Sequence, residues 1–568
     1  MTAFQWFSLG GMGAIALVLA VVAIVAAPNT ADSMIYHLAR VANWIQNQNI
    51  NPYPTRVVLQ LDQPPWNSYA YLHLMLLSGG DFYVGLVQWS CLSLNAIGVS
   101  LIAESLGANL TGQWLASVLC MTLPMALLQA STAQNDLIVS FWLICFMVSI
   151  LDLAQHRVRR THALELGASL GLALFTKGTA YIYTPPMILL ALWSIVRPIR
   201  WQSARFLGVT SLMVVGVNAG HWWRNWVVFG SPLGIGGDAT RNQLLTAPAL
   251  VSNIMRNLSM HLDSVIPGWN PIINALVLQL HEWIGIRTNH PLTTWEDHNF
   301  FLPESPLLPI ALTEDRSGNS VHLLLILFSL VLLLGRRKLW SWRLGSYLAI
   351  LIVGFLMFCL LLKWQIWGTR LHLPLFVLMT PVVSVVLTKT VSNRAFRYAM
   401  VSVLLVLALP YLLFSMNRPL IVNETLSQWF RLHPQSILTA PRESMYYTSM
   451  VPRIRRMMPD VIGLVQAQNC YQIGLDTRLE YPFWATLQQR QKPDDPVFYF
   501  KSVVNEAPKV DAFAQPSRWF TPCAVIRIDP YTEQLPLENA EQYRLAFEVT
   551  RKPGARGHLQ LYLHDPQF

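Results

Sequence analysis

Charge is what this sequence has least of. Asp, Glu, Lys and Arg make up 12% of its 568 residues, about half the share of an average soluble protein. A soluble chain of this length would fold as roughly three or four domains, and there is too little charge here to coat them. Acid is the scarcer sign, with 30 Asp+Glu against 40 Lys+Arg and a formal charge of +10. No internal repeat and no low-complexity segment appears. Walker and Rossmann G-x-G-x-x-G patterns are missing too, which disfavours nucleotide-driven chemistry. Cysteine is sparse: of six, Cys91, Cys120, Cys145 and Cys359 lie in apolar runs and read as packing residues. What is abundant is apolar material, 53% of the chain with 21 Trp and 24 Phe. That excludes an extended disordered protein and indicates a polytopic membrane protein.

A helix crosses the hydrocarbon core in about 20 residues. The run Leu9–Ala27 has no charge and no basic residue before it, so it reads as an uncleaved first span rather than a signal peptide. Further runs are Phe82–Ala103, Trp114–Ala133, Leu137–Leu151, Ala163–Thr176, Tyr181–Val196, Phe206–Trp222, Val321–Leu334, Leu344–Leu362, Pro374–Leu387 and Tyr398–Met416, making eleven expected spans. Stretch 163–196 is read as a hairpin, because both its flanks are basic: Arg157, Arg159 and Arg160 before it, Arg197, Arg200 and Arg205 after it. Basic flanks belong together on the cytoplasmic side. Gly178 and Pro185–Pro186 are compatible with a break. The loops 336–343 and 389–397 are basic as well, and with eleven spans all four basic loops share one face with the N-terminus. Those loops hold thirteen Lys and Arg and no acid, so subtracting them from +10 leaves the remainder at −3. The basic excess is an orientation signal, and it gives no support to nucleic-acid binding.

The opposite face receives loops 28–81 and 223–320 and the tail 417–568. In the tail, YQIGLDT, DPVFYFKS, CAVIRIDP, YRLAFEVT and HLQLYLHD alternate polar and apolar residues as strands do. KPGARG between the last two has the residues of a hairpin loop. The expected architecture is therefore an α-helical membrane module over 1–416, with a small α/β domain over 417–568 on the outer, periplasmic side. Cys470 and Cys523 both fall in that domain, as a disulfide or as two free thiols.

Ionisable groups near span ends are informative, because a charge beside lipid is costly. Asp32 stands a few residues after the first span, ahead of a stretch with Ile35, Leu38, Ala42 and Ile45 at helical spacing. This suggests an amphipathic helix in the interface, with Trp44 as an anchor. Helix capping alone accounts for an Asp at such a position; the functional alternative is a general base held at the membrane surface. Tyr36 and His37 follow it as acceptor or supporting residues. Asp136 in STAQND ends a turn on the same face. Lys177 in TKG is either a snorkelling lysine or a cation placed for a lipid phosphate. Arg224 and Arg370 also mark span ends there, and Arg suits bidentate phosphate recognition. Glu314 and Asp315 just before the eighth span, and His322 at its start, lack the regular spacing of a metal site. Taken together, acids and cations converge on one membrane face, which suits an anionic lipid from the bilayer and a polar acceptor from outside.

Several of these motifs resemble the GT-C glycosyltransferases: an acid after span one, an N-D at the next outer turn, T-K-G at a span end, and W-R-N with G-S-P after span seven. The segment DSMIYHLARVANWIQNQNINPYPT with QPPWNSY, and the E-D, G-N and H before span eight, are similar to bacterial members of the protein O-mannosyltransferase and lipid A aminoarabinose transferase group. The resemblance covers about residues 1–420. It implies a bacterial inner-membrane enzyme that moves a sugar from a polyprenyl-phosphate carrier to a hydroxyl of a protein, lipid or glycan on the periplasmic face, with inversion. Asp32 would be the base, Asp136 would orient it or the acceptor, and Lys177 and Arg370, with Arg224, would hold the lipid phosphate. No divalent ion is then required. Relatives often carry a second acid after the first, where this chain has Ser33. Two other classes fit the composition, a transporter of lipid-linked or anionic substrates and a non-catalytic envelope assembly protein. The large outer segments and the lack of a repeated half weigh against the transporter.

Overall fold

The computed structural model describes all residues except 1, 156–158, 200–202, 236–237, 264–267, 297, 303–311, 392, 423–434, 492–493, 495, 511–519, 551–556 and 566–568. Arg157, Arg200 and most of the expected KPGARG turn thus lie outside the described residues. Each of the eleven apolar runs falls on helix. Among the described residues, six helices are long and apolar enough to cross a membrane: Ala3–Val25, Gly85–Ser105, Asp136–Gln155, Trp342–Leu361, Leu373–Thr390 and Arg394–Leu413. Shorter apolar helices run over Leu110–Met121, Ala180–Ile195 and Ser320–Gly335.

Local chemistry explains the breaks. The run Trp114–Ala133 divides after Met121, and Pro124 starts the short helix Pro124–Gln129, because proline cannot continue the turn before it. The expected hairpin forms between Arg160–Leu174 and Ala180–Ile199. The chain turns at 175–179, around Lys177 and Gly178, whereas Pro185–Pro186 sit inside the second helix and not at the break. Gly167 lets helix Arg160–Leu174 press on helix Ser203–Phe229, since a Cβ there would lie 2.8 Å from the Thr210 carbonyl oxygen. Close approach through small residues is how helices gain contact in lipid, where apolar burial gives no drive.

All five expected tail strands are present: β1 Gln472–Asp476, β2 Tyr499–Ser502, β3 Ala524–Ile528, β4 Tyr543–Val549 and β5 Leu559–His564. They form one sheet in the order β2-β1-β3-β5-β4. The first three are parallel, and β5 runs antiparallel between β3 and β4. Every residue of β3 is buried, as a central strand requires. Helix Pro452–Ala467 covers the sheet with Ile454, Met458, Val461, Ile462 and Val465, one stripe at helical spacing. Cys470 and Cys523 are joined by a disulfide that ties the starts of β1 and β3.

Two apolar cores matter for position. One fills the helical bundle. The other runs without interruption from Val22 and Ala26 of the first helix, through Met34, Leu38 and Ala42 of the first loop, to Phe483, Trp484 and the sheet. The tail and the first loop therefore share a core.

Candidate active site

The first loop re-enters as helix immediately. Residues Ser33–His37 form a π-helical turn, closed by the Leu38 amide donating to the Ser33 carbonyl, and helix Leu38–Asn47 follows. Such widened turns recur at functional sites. Asp32 caps nothing: its backbone is already helical and its side chain makes no capping bond. It projects instead toward Arg370, with Arg370 Nη2 2.8 Å from Asp32 Oδ2. The Tyr36 hydroxyl, one turn on, donates to the same oxygen at 3.1 Å.

Arg370 lies in the short helix Gly368–Leu371, which packs closely enough on helix Ala247–Met260 that a Cβ on Gly368 would fall 2.9 Å from Asn257 Oδ1. Three carboxylates gather on its guanidinium. Besides Asp32, Asp315 Oδ1 is 2.8 Å from Nη1 and Asp136 Oδ2 is 3.7 Å from Nε. Lys177 Nζ lies 2.6 Å from Asp136 Oδ1. The turn before helix Asp136–Gln155 and the 175–179 turn are tied together here, because Asn135 Nδ2 also donates to the Thr176 carbonyl. Asp136 is almost fully buried, while the Asp32 and Asp315 side chains keep 23% and 25% of their exposure. The two partly open acids are the ones that a substrate can reach.

Electrostatics separates those two. Burial would raise the Asp32 carboxyl, but Arg370, together with Lys177 and the Tyr36 hydrogen bond, outweighs it and holds Asp32 below the usual carboxylate range. Asp315 is pushed up to about 6, chiefly by burial and against the pull of Arg370, with Glu314 and Asp32 adding repulsion. Burial keeps His37 neutral; its Nδ1 meets Asn67 Nδ2 at 2.7 Å. Three acids against two bases leave one negative charge in excess when all are ionised. Around them, His37 Nε2, Asn67 Oδ1, Gln134 Oε1 and Asn135 Oδ1 are buried and make no hydrogen bond to a described residue. Polar atoms of that kind usually face water or a ligand.

The other expected site residues lie elsewhere. Glu314 accepts from Asn417 Nδ2 at 2.8 Å and faces Arg418 at 3.6 Å, so it joins the loop to the start of the tail. His322 Nε2 lies 3.1 Å from the Leu119 carbonyl oxygen, against the end of helix Leu110–Met121. Arg224 is apart from the Arg370 cluster and donates to the Ile50 carbonyl and the Tyr69 hydroxyl. It lines a small pocket of about 20 Å³ with Arg40, Trp44, Gln60, His221 and Asn225. Neither Arg40 nor Arg224 forms an ion pair with a described residue. Trp44 is no lipid anchor: it is 5% exposed and stacks on Tyr69, because helix Leu38–Asn47 is covered by helix Trp66–Ser78 and by the tail. Sequence reasoning missed Arg40, which is fully buried and bonds the Leu59, Gln60 and Gln63 carbonyls. The available signal was an arginine amid Leu38, Val41 and Trp44, with no acid one turn away. Among the described residues, no three His, Cys, Asp or Glu side chains converge as a metal-binding set.

No family model and no curated protein matches the sequence. Solved structures do match. ArnT from Cupriavidus metallidurans bound to undecaprenyl phosphate aligns with TM-score 0.52 and 13% identity, over 99% of this chain and 98% of that one. Apo ArnT aligns with TM-score 0.51 at the same identity and coverage. The oligosaccharyltransferase AglB from Archaeoglobus fulgidus, in complex with an inhibitory peptide and a dolichol-phosphate, aligns with TM-score 0.42 and 13% identity over 85% and 64%. At 13% identity the likeness to ArnT is one of fold, and it extends through the tail as well as the membrane bundle. The fold expected from the motif resemblance is the fold that this chain has.

Proposed function

We propose that this chain is a membrane glycosyltransferase that moves a sugar from a polyprenyl-phosphate carrier to an acceptor hydroxyl, with Asp32 as the base. The observation that carries this reading is an ionised, partly open carboxylate held by Arg370 at the loop end of an ArnT-like bundle. The acceptor hydroxyl gives its proton to Asp32 as its oxygen bonds sugar C1. The bond from C1 to the phosphate oxygen breaks on the opposite face, and the electron pair leaves with the lipid phosphate, so the anomeric centre inverts. An acid held this low is a weak base. It is sufficient because C1 develops oxocarbenium character before the oxygen commits, and the proton moves late.

Asp136 acts at one remove, fixing Lys177 and Arg370 in place. Lys177, Arg370 and Arg224 are proposed to take the phosphate, favouring the charge that builds on it in the transition state. Lys177 and Arg370 are already engaged by carboxylates, so the phosphate must share them. Arg224, with Arg40 beside it, has no such competitor among the described residues and is the better first contact. The reading needs no divalent ion. It places the enzyme in a bacterial inner membrane with the N-terminus cytoplasmic and the tail periplasmic, which the basic loops support. Asp32→Asn is the test: transfer of sugar to surface acceptors, followed by mass spectrometry of surface glycans and glycoproteins, should be lost while undecaprenyl phosphate still binds. Unchanged transfer would remove Asp32 as the base.

A further inference from the structure

The first loop and the tail meet at one buried side chain. Gln60 is 1% exposed and bonded on every side. Its Nε2 donates to the Ile35 carbonyl at 2.9 Å and to Glu480 Oε2 at 2.9 Å. Its Oε1 accepts from the Tyr53 hydroxyl at 2.9 Å and the Thr55 hydroxyl at 3.3 Å, and its own carbonyl accepts from Arg40. Ile35 belongs to the π-helical turn between Asp32 and His37. Glu480 belongs to the tail, one residue before helix Tyr481–Arg490, whose Phe483 and Trp484 share a core with Met34 and Leu38. A single amide thus bridges the turn that presents Asp32 and an acid 420 residues further along the chain.

We propose that Glu480 is a positioning residue for the Asp32 turn, acting through Gln60, so that the tail sets the geometry of the base. This rests on the reading of Asp32 given above. Helices do not form π turns without a reason, since one backbone bond per turn is displaced from its usual partner. The Ile35 carbonyl within this turn receives a side-chain donor from Gln60, and that donor is oriented by its second bond to Glu480. Docking of the tail does not depend on this contact alone. Arg56 of the first loop pairs with Asp476 at the end of β1, and the Gln46 amide bonds the Phe500 backbone in both directions at 2.8 Å on the edge strand β2. Loss of Glu480 should therefore loosen the turn without releasing the tail.

Glu480 is buried at 4% exposure, and its Oε1 makes no hydrogen bond to a described residue. Burial pushes its carboxyl up to about 7, against Gln60, Arg56 and Asn43, which favour the ionised form; Tyr53 also faces it. The buried arrangement therefore holds the acid in its neutral form more readily than solvent does. It is firmest below an ordinary glutamate value of 4.5 and loosens as pH rises from there through about 7, where the acid ionises in place.

The test uses the full-length protein in lipid nanodiscs, with two readouts. Hydrogen–deuterium exchange follows amides 33–40 and, as an internal control, the buried strand β3. Transfer is followed in cells by mass spectrometry of surface glycans. Glu480→Leu and Gln60→Leu should each raise exchange of 33–40 on the order of tenfold, with β3 unchanged, and lower transfer by a similar factor. Glu480→Gln keeps an acceptor for Gln60 and should restore both at pH 6, while flattening the dependence of 33–40 exchange on pH between about 5 and 7 once intrinsic rates are divided out. Unchanged exchange of 33–40 in both leucine variants would overturn the proposal. So would a loosened turn with undiminished transfer, provided that Asp32→Asn abolishes transfer. If Asp32→Asn leaves transfer intact, the assignment of the base fails and the effect on transfer is withdrawn, while the exchange data still decide whether Glu480 holds the turn.

Discussion

Two charged clusters in this chain are built in opposite ways. In the tail, Asp476 sits between Arg56 and Arg527 at 2.6 and 3.0 Å, with all three side chains at 2% exposure or less. Arg527 also donates to the Thr532, Glu533 and Gln534 carbonyls and to Gln560, and Arg56 lies over the Tyr531 ring at 4.0 Å. At the membrane face, Arg370 carries Asp32, Asp136 and Asp315, two of them partly open, with unbonded buried polar atoms beside them. Among the described residues, the tail cluster has every guanidinium nitrogen but Arg56 Nε satisfied. The Arg370 cluster has an excess acid and idle polar groups. A buried network that satisfies itself specifies structure, whereas one that stays partly unsatisfied is kept for something else.

Substitution should separate the two clusters cleanly. Asp32→Asn should lower transfer by about 10²–10⁴-fold, the usual contribution of a general base. It should leave thermal stability close to that of the parent, because the acid leaves a cluster with an excess of acids. Asp476→Asn should do the reverse. It strands two buried guanidinium groups and should cost about 3–5 kcal/mol of stability, seen as a lower Tm and a tail more open to proteolysis. A stable Asp476→Asn protein, or an Asp32→Asn protein that unfolds, would dissolve the contrast.

Much of this was legible in the sequence, and the rest was hidden for physical reasons. Apolar period and turn residues are local, so the helical runs and the five tail strands could be read directly. Asp32, Asp136, Lys177 and Arg370 were readable because charge near lipid is rare enough to stand out. The share of Arg370 taken by Asp315 was not, since nothing in TEDRSG distinguishes Asp315 from Glu314, and only one of them points to the site. Trp44 misled for a related reason. A Trp on an amphipathic stripe looks the same whether the stripe meets lipid or a folded domain, and the cover here comes from Tyr69 of helix Trp66–Ser78 and from a tail more than 400 positions away. Arg40 and Gln60 were invisible because their partners are backbone carbonyls and neutral hydroxyls, together with one distant acid.

The contrast can be sharpened by comparing cations. Arg224 has no carboxylate partner among the described residues, so its charge is available to a ligand, whereas the charge of Arg56 is spent on Asp476. Arg224→Ala should weaken undecaprenyl phosphate binding about tenfold or somewhat more, as loss of a charge-assisted hydrogen bond does. Arg224→Lys should recover only part of it, lacking the forked geometry. Binding measured in nanodiscs, with Arg56→Ala as the control that leaves lipid affinity alone, distinguishes a ligand contact from a general loss of fold.

The smallest expected effect concerns the excess acid itself. Asp315 titrates near 6 in the folded protein, against an ordinary aspartate value of 3.8. The folded state therefore binds more protons than the unfolded state between about pH 4 and 6, and the contribution of this group to stability falls as pH rises through that window. With the side chain one-quarter exposed, solvent screening reduces the effect to on the order of 1–2 kcal/mol. Asp315→Asn should remove that slope and raise stability above pH 6, where the wild-type site carries its surplus charge. Thermal unfolding from pH 4 to pH 8 reads both. A variant whose slope matches the parent would mean that Arg370 holds Asp315 ionised throughout. The cluster would then carry its excess charge at every working pH, as a permanent repulsion that an incoming phosphate has to overcome.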